Sequence, residues 1–282
     1  MTRATALLSR SRWRRLAAGA VAIGVLTVLA VVEAPGTSAH GSPPEAAKPT
    51  VVLVHGDWAD ASGWSGVIAR LQADGYPVVA PPNPLRSLSG DAAYVQAYLD
   101  TLSGPVVLVG HSYGGAVITN AATGDPNVRA LVYVDALAPD VGQTIFQLTG
   151  PDSALAADPA TIFDFVPATL PPTPTTDLYL KTSTFLTAFA NGLPTSQARI
   201  LAASQRPATL AQDEPSGVPA WRTVPSWYLI GTQDHILPPA AEQAMAEHAG
   251  STISYFDAGH LGLISDPKSV TRVIERAAKA TA

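Results

Sequence analysis

The chain has 282 residues, 47% of them apolar and 14% charged, which is enough apolar material for one large domain or a domain carrying an insertion. Seventeen basic against 22 acidic residues leave a formal net charge of −5 at pH 7, a balance that argues against a nucleic-acid partner. With no cysteine the chain has no disulfide, no thiol nucleophile and no thiolate metal site, so stability rests on the core.

Along the chain, Arg3, Arg10, Arg12, Arg14 and Arg15 precede an unbroken apolar stretch from Leu16 to Val32, and Thr37-Ser38-Ala39 follows as a small-residue cleavage site. This pattern predicts a secretory signal peptide over residues 1–39 and a secreted product. The apolar run is only about as long as the shortest bilayer spans and is diluted by glycine and alanine, which favours cleavage over an uncleaved membrane anchor. Arg14-Arg15 fits a twin-arginine signal weakly, so the export route stays open. Removal of the segment leaves 12 basic and 21 acidic residues, a formal net charge of −9, which disfavours adhesion to anionic lipid.

Residues 40–49, "HGSPPEAAKP", read as a flexible leader. Beyond it, apolar runs alternate with helical patterns. Strands are expected at Thr50–Val54, Tyr76–Ala80, Val106–Val109 and Ala130–Asp135, with helices near Ser62–Asp74 and Asp91–Leu102 and from Tyr113 onward. From Pro139 to about Arg222 the chain is rich in proline, threonine and alanine and shows no comparable buried strand. The alternation then returns with strands at Trp227–Ile230 and Thr252–Phe256 and helices near Pro239–Ala249 and Lys268–Ala280. Such alternation implies right-handed crossovers and a mostly parallel sheet covered by helices on both faces, an α/β fold. The expected division is a core of residues 50–138 and 223–282, with residues 139–222 inserted as a cap over the carboxyl edge of the sheet, where open parallel sheets bind ligands.

The chemistry is expected at that edge. Gly110-His111-Ser112-Tyr113-Gly114 is a G-x-S-x-G pattern between a buried strand and a helix, and the glycines free the space for a sharp turn that exposes Ser112 Oγ. A serine hydroxyl needs a base to take its proton and an anion to orient that base. "GTQDHILPP" supplies Asp234 after one late strand and "DAGHLGL" supplies His260 after the next, in the chain order Ser112, Asp234, His260. Asp135, at the end of "ALVYVD", is the alternative acid, and Asp140 reads as a residue at the hinge of the cap. The oxyanion donors are expected to be the backbone N–H groups of Asp57, turned inward after Gly56, and of Tyr113, at the start of the helix behind the nucleophile. The Asp57 carboxylate would repel a developing oxyanion and is therefore expected to point away. His55 and His111 read as packing and hydrogen-bonding residues. No H-E-x-x-H or comparable set is present, so no metal is expected.

Together "HGDW", "GHSYGG", "GTQDHILPP" and "DAGH" resemble the α/β-hydrolase superfamily over essentially residues 50–282, and the short HG loop and the position of the cap are similar to its small esterase and hydroxynitrile-lyase branch. The resemblance implies an α/β-hydrolase fold with an inserted helical cap and a cofactor-free Ser-His-Asp hydrolase acting on small carboxylic esters. Perhydrolase-like (haloperoxidase-like) or hydroxynitrile-lyase-like use of the same triad, and a non-catalytic ligand-binding role, are the alternatives. A lyase is expected to place a lysine near the triad, whereas Lys181, Lys268 and Lys279 lie outside the triad loops. Phe146, Phe163, Phe165, Tyr179, Phe185 and Phe189 in the cap serve either its own core or an apolar pocket.

Overall fold

The computed structural model describes residues 48–168 and 171–282. The proposed signal peptide and nearly all of the leader lie outside the described residues. Among the described residues, no helix is long and apolar enough to cross a membrane.

The core is a parallel sheet of six strands. Strand β1 spans Thr50–Val54, β2 Val78–Val79, β3 Val106–Ser112 and β4 Val128–Ala136. Helices α1 (Ser65–Ala73), α2 (Leu88–Leu99) and α3 (Tyr113–Ala121) connect them. The central strands are built from valine, leucine and alanine and are buried on both faces, as a sheet sandwiched between helices requires. The α/β class read from the alternating pattern is therefore the one observed.

After β4 the chain leaves the sheet. It forms α4 (Ile145–Thr149), α5 (Pro159–Ile162), β5 (Phe163–Val166), β6 (Asp177–Leu180), α6 (Thr182–Thr184) continuing into a π-helical turn at Phe185–Phe189, α7 (Thr195–Ser204) and β7 (Ala208–Thr209). It then rejoins the sheet through β8 (Ser226–Gly231), α8 (Pro239–His248), β9 (Thr252–Phe256), α9 (Gly262–Ser265) and α10 (Pro267–Ala280). The strand order is β2-β1-β3-β4-β8-β9, every neighbouring pair parallel. The inserted segment adds to its helices a small antiparallel sheet, β5-β6-β7. Its strands are only two to four residues long, so they leave no apolar run of the kind that marks the core strands.

Local chemistry accounts for the remaining differences from the sequence pattern. The edge strand β2 pairs only Val78 and Val79, with Val51 and Val52, because Pro77 and Pro81 on either side cannot donate to a ladder. The first helix starts late: Asp60 caps a short 3₁₀ turn at Ala61–Trp64 by accepting from Ser62 N at 2.7 Å, and α1 follows. Helix α2 starts early because Ser87 caps it, accepting from Gly90 N. Strand β3 runs on through Gly110 and His111 to Ser112, carrying the serine to the carboxyl edge of the sheet.

Candidate active site

Ser112 sits where β3 turns into α3 with a backbone φ of +53°, a region that side chains rarely occupy. Its surroundings leave no room for relaxation. A Cβ at Gly110 would lie 2.6 Å from the carbonyl oxygen of Gly114, and one at Gly56 would lie 2.6 Å from Ser112 Cβ. Gly110 of the motif and Gly56 of the loop after β1 are thus required by the close approach of strand, helix and loop.

His260 Nε2 lies 2.9 Å from Ser112 Oγ, and His260 Nδ1 lies 2.6 Å from Asp234 Oδ2. All three residues are buried. Asp234 is anchored in turn, since its Oδ1 accepts from the backbone N–H of Ile236 at 2.7 Å and of Leu237 at 2.9 Å. With both carboxylate oxygens engaged and facing N–H donors, the ring of His260 presents Nδ1–H to Asp234 and its Nε2 lone pair to the serine hydroxyl. His111 Nε2 lies 2.8 Å from the His260 carbonyl and donates to it, fixing the backbone that carries the base. Burial, helped by the neighbouring His260, holds the His111 pKa well below the ordinary imidazole value, which keeps this histidine a neutral strut. His55 ties down the loop after β1: its Nδ1 donates to Gly56 O (2.9 Å) and its Nε2 accepts from Asn83 N (3.0 Å).

The structure brings Asp234, and not Asp135, to His260. Asp135 ends in a different environment, its Oδ1 accepting from Gly231 N at 2.7 Å and its Oδ2 buried without a partner. Asp135, Asp234 and Glu242 are all buried, with carboxylate oxygens within 4.8 Å of one another. Glu242 joins this group from α8, and no local motif marks it. Both oxygens of Asp234 are engaged by N–H donors, whereas Asp135 and Glu242 lack comparable partners. Burial, and then repulsion from Asp234, drives the Asp135 pKa well above the carboxylate range; burial, then repulsion from Asp135 and Asp234, does the same to Glu242. Asp140 lies at the surface, joined to Arg222 at the far end of the insertion and to His248 of α8.

The second row of residues beside Ser112 comes from the loop after β1 and from the insertion. Among the described residues, Asp57 N makes no hydrogen bond within the protein, and Tyr113 N belongs to the first turn of α3, where helical N–H groups lack intrahelical partners. The Tyr113 hydroxyl donates to Asp91 Oδ2 at 2.8 Å, which fixes the residue's orientation. The Asp57 carboxyl turns toward the insertion, where its Oδ1 accepts from Gln212 Nε2 at 2.8 Å. Burial pushes its pKa up to about 7, with Asp91 adding to the rise and the Gln212 bond opposing it.

Ser112, Asp57 and Tyr113 line a chamber whose other walls are mostly apolar: Leu137, Ile236 and Leu237 from the core, and Ile145, Phe146, Leu155, Phe163 and Leu178 from the insertion. Trp58 divides it from a second apolar pocket lined by Phe185, Phe189 and Leu261 that Ser112 does not reach. The Trp58 indole is pinned by a bond from Nε1 to the Leu178 carbonyl (3.0 Å) and stacks on Phe163 with centroids 5.8 Å apart. Phe146 and Phe163 therefore serve the chamber, whereas Phe185 and Phe189 serve the neighbouring pocket.

With this geometry in view, the comparisons with known proteins place the chain. Residues 51–273 match the alpha/beta hydrolase family, and the chain belongs to it. It is a hydrolase whose relatives carry esterase names. A carbendazim hydrolyzing esterase from Nocardioides sp. (strain SG-4G) is 34% identical over 110 residues, covering 34% of this chain and 46% of that protein, so the match spans about half of the relative's length. The alpha/beta hydrolase nvfD of Aspergillus novofumigatus is 27% identical over 266 residues, covering 82% of this chain and 97% of that one. Among solved structures, polyneuridine aldehyde esterase shares the fold with a TM-score of 0.68 and 21% identity, covering 81% of this chain and 98% of that one.

The buried acids generate a stability prediction. Asp135 and Glu242 have folded-state pKa values above their unfolded ones, so their contribution is fully present below the unfolded pKa and is lost as pH rises through the folded pKa. The double variant Asp135→Asn, Glu242→Gln carries no such proton demand. Its urea-unfolding free energy, measured from pH 4 to pH 9, is expected to fall less steeply with pH than that of the parent.

Proposed function

We propose that the protein is an exported serine hydrolase that cleaves carboxylic esters through an acyl-enzyme intermediate. The observation that carries this reading is the unbroken hydrogen-bonded relay from Ser112 through His260 to Asp234, opening on an apolar chamber. Ser112 Oγ attacks the acyl carbon while its proton passes to His260 Nε2, and Asp234 stabilises the imidazolium. Negative charge gathers on the carbonyl oxygen, where the N–H groups of Asp57 and Tyr113 receive it; one donor of this kind is worth about 10²–10³ in kcat. The imidazolium then gives its proton to the departing alkoxide, releasing the alcohol and leaving an acyl ester on Ser112. A water enters, His260 takes its proton, and the same steps release the acid and restore the serine.

The relay needs no external base or cofactor for this sequence of proton transfers. A lyase-type use of the site is disfavoured because Lys181, the lysine of the insertion, is paired with Asp164 and no lysine lines the chamber. The partner in this reading is a small-molecule ester, and the chamber's mostly apolar walls suit a substrate with an apolar part. Its range is read from a panel of p-nitrophenyl esters from acetate to palmitate.

Ser112→Ala and His260→Ala each remove most of kcat, and the double variant loses little more, because groups acting as one unit are strongly non-additive. Asp234→Asn lowers kcat by about 10⁴, the size of the equivalent change in another serine hydrolase, while Asp135→Asn costs far less. A large loss in Asp135→Asn alone contradicts the assignment of the acid.

Export is proposed on the arginine-flanked apolar stretch before Thr37-Ser38-Ala39. Mass spectrometry of the protein from the culture medium is expected to find an N-terminus at His40. Intact chain starting at Met1 and held in the membrane fraction contradicts it.

A further inference from the structure

The chamber contains one group that an apolar ester would not use. We infer that the Asp57 side chain is a specificity determinant that selects esters bearing a hydroxyl group close to the acyl carbon. This rests on the proposed esterase reading and adds the class of substrate to it.

Most polar atoms of the chamber are already committed to bonds within the protein. Thr149 Oγ1 donates to the Phe146 carbonyl at 3.0 Å, and Thr209 Oγ1 donates to the Arg86 carbonyl at 2.7 Å, so both hydroxyl protons are committed. Gln212 Oε1 accepts from Thr209 N at 3.1 Å while its Nε2 donates to Asp57 Oδ1. This glutamine is buried and held at both ends, so it fixes the plane of the Asp57 carboxyl. Among the described residues Asp57 Oδ2 has no hydrogen-bond partner, and Asp57 keeps a small exposed fraction while lining the chamber, so this oxygen is the one available to a ligand there.

A carboxyl group in an apolar wall is costly unless something pairs with it. Because the same residue's N–H is the proposed oxyanion donor, its side chain stands within a few bonds' reach of the substrate carbonyl. A hydroxyl two or three bonds from the acyl carbon can meet Oδ2. A hydroxyl suits the site better than an ammonium, whose other N–H groups would be stranded against Leu137, Ile145 and Phe163. It also matches either state of an acid poised near neutrality, donating to the carboxylate or accepting from the neutral carboxyl. Sites built to hydrogen-bond a substrate hydroxyl reject analogues lacking it far more strongly than apolar pockets reject a missing methylene.

The test compares ethyl 2-hydroxybutyrate and ethyl 3-hydroxybutyrate with ethyl butyrate by pH-stat titration, using the parent, Asp57→Ala, Asp57→Asn and Gln212→Ala. The parent is expected to prefer at least one hydroxy ester by about tenfold or more in kcat/KM, one hydrogen bond's worth. Asp57→Ala brings the ratio close to one, Asp57→Asn keeps part of it, and Gln212→Ala weakens it by releasing the carboxyl. A folding defect lowers the hydroxy and plain ester rates together and leaves the ratio unchanged, so the ratio reports on recognition. Equal rates on all three esters in the parent, or a preference that survives Asp57→Ala, overturn the inference. If those rates nonetheless vanish in Ser112→Ala, the esterase reading stands without it; if ester turnover survives Ser112→Ala, the esterase reading itself fails.

Discussion

The rest of the site depends on one constraint, the turn at Ser112. Its φ of +53° is a conformation that costs on the order of 1–3 kcal/mol for a residue with a side chain, and it persists because the surrounding backbone admits no alternative. The carbonyl of Gly114 lies against Gly110, and the loop after β1 lies against the serine through Gly56. The strain therefore sits at the point where the chain must present one hydroxyl above a sheet edge. The residues that hold it there also bring the N–H groups of Asp57 and Tyr113 to the same side.

Around that turn, buried charge is arranged in layers. Asp234 is the acid whose two oxygens both face N–H donors, which makes its ionised form the best solvated carboxylate of the cluster. Asp135 and Glu242 behind it lack comparable donors, and burial favours their protonated forms. Burial thus favours the neutral forms of the two acids that stand behind the one His260 meets. The insertion contributes from the other side, since Gln212 holds Asp57, the Leu178 carbonyl holds Trp58, and its apolar residues wall the chamber.

Much of this was legible in the sequence because its signals are local. The runs Val51–Val54, Val106–Val109 and Ala130–Val134 are continuous and apolar because a parallel sheet between helices buries both faces of each strand. Ser112, Asp234 and His260 stood out because each follows such a run, and the structure brings the three into one relay. Gln212 and Glu242 carry no such mark. Gln212 meets Asp57 across 155 positions of chain and Glu242 reaches Asp135 of strand β4 from helix α8, so only the tertiary fold reveals them. The strands β5 to β7 carry no such signal either, because each is only two to four residues long and they lie in proline-rich sequence. Conversely, Tyr76–Ala80 has the composition of a strand, but its flanking prolines leave only two residues to pair.

The central claim is that Ser112 is a nucleophile activated by His260, and covalent labelling tests it most directly. The parent and His260→Ala would be treated with an alkyl p-nitrophenyl phosphonate and examined by intact-mass spectrometry and peptide mapping. The account predicts one adduct per chain in the parent, on the peptide containing Ser112, formed far more slowly in His260→Ala. Folded, ester-hydrolysing protein that carries no adduct at Ser112 would contradict it.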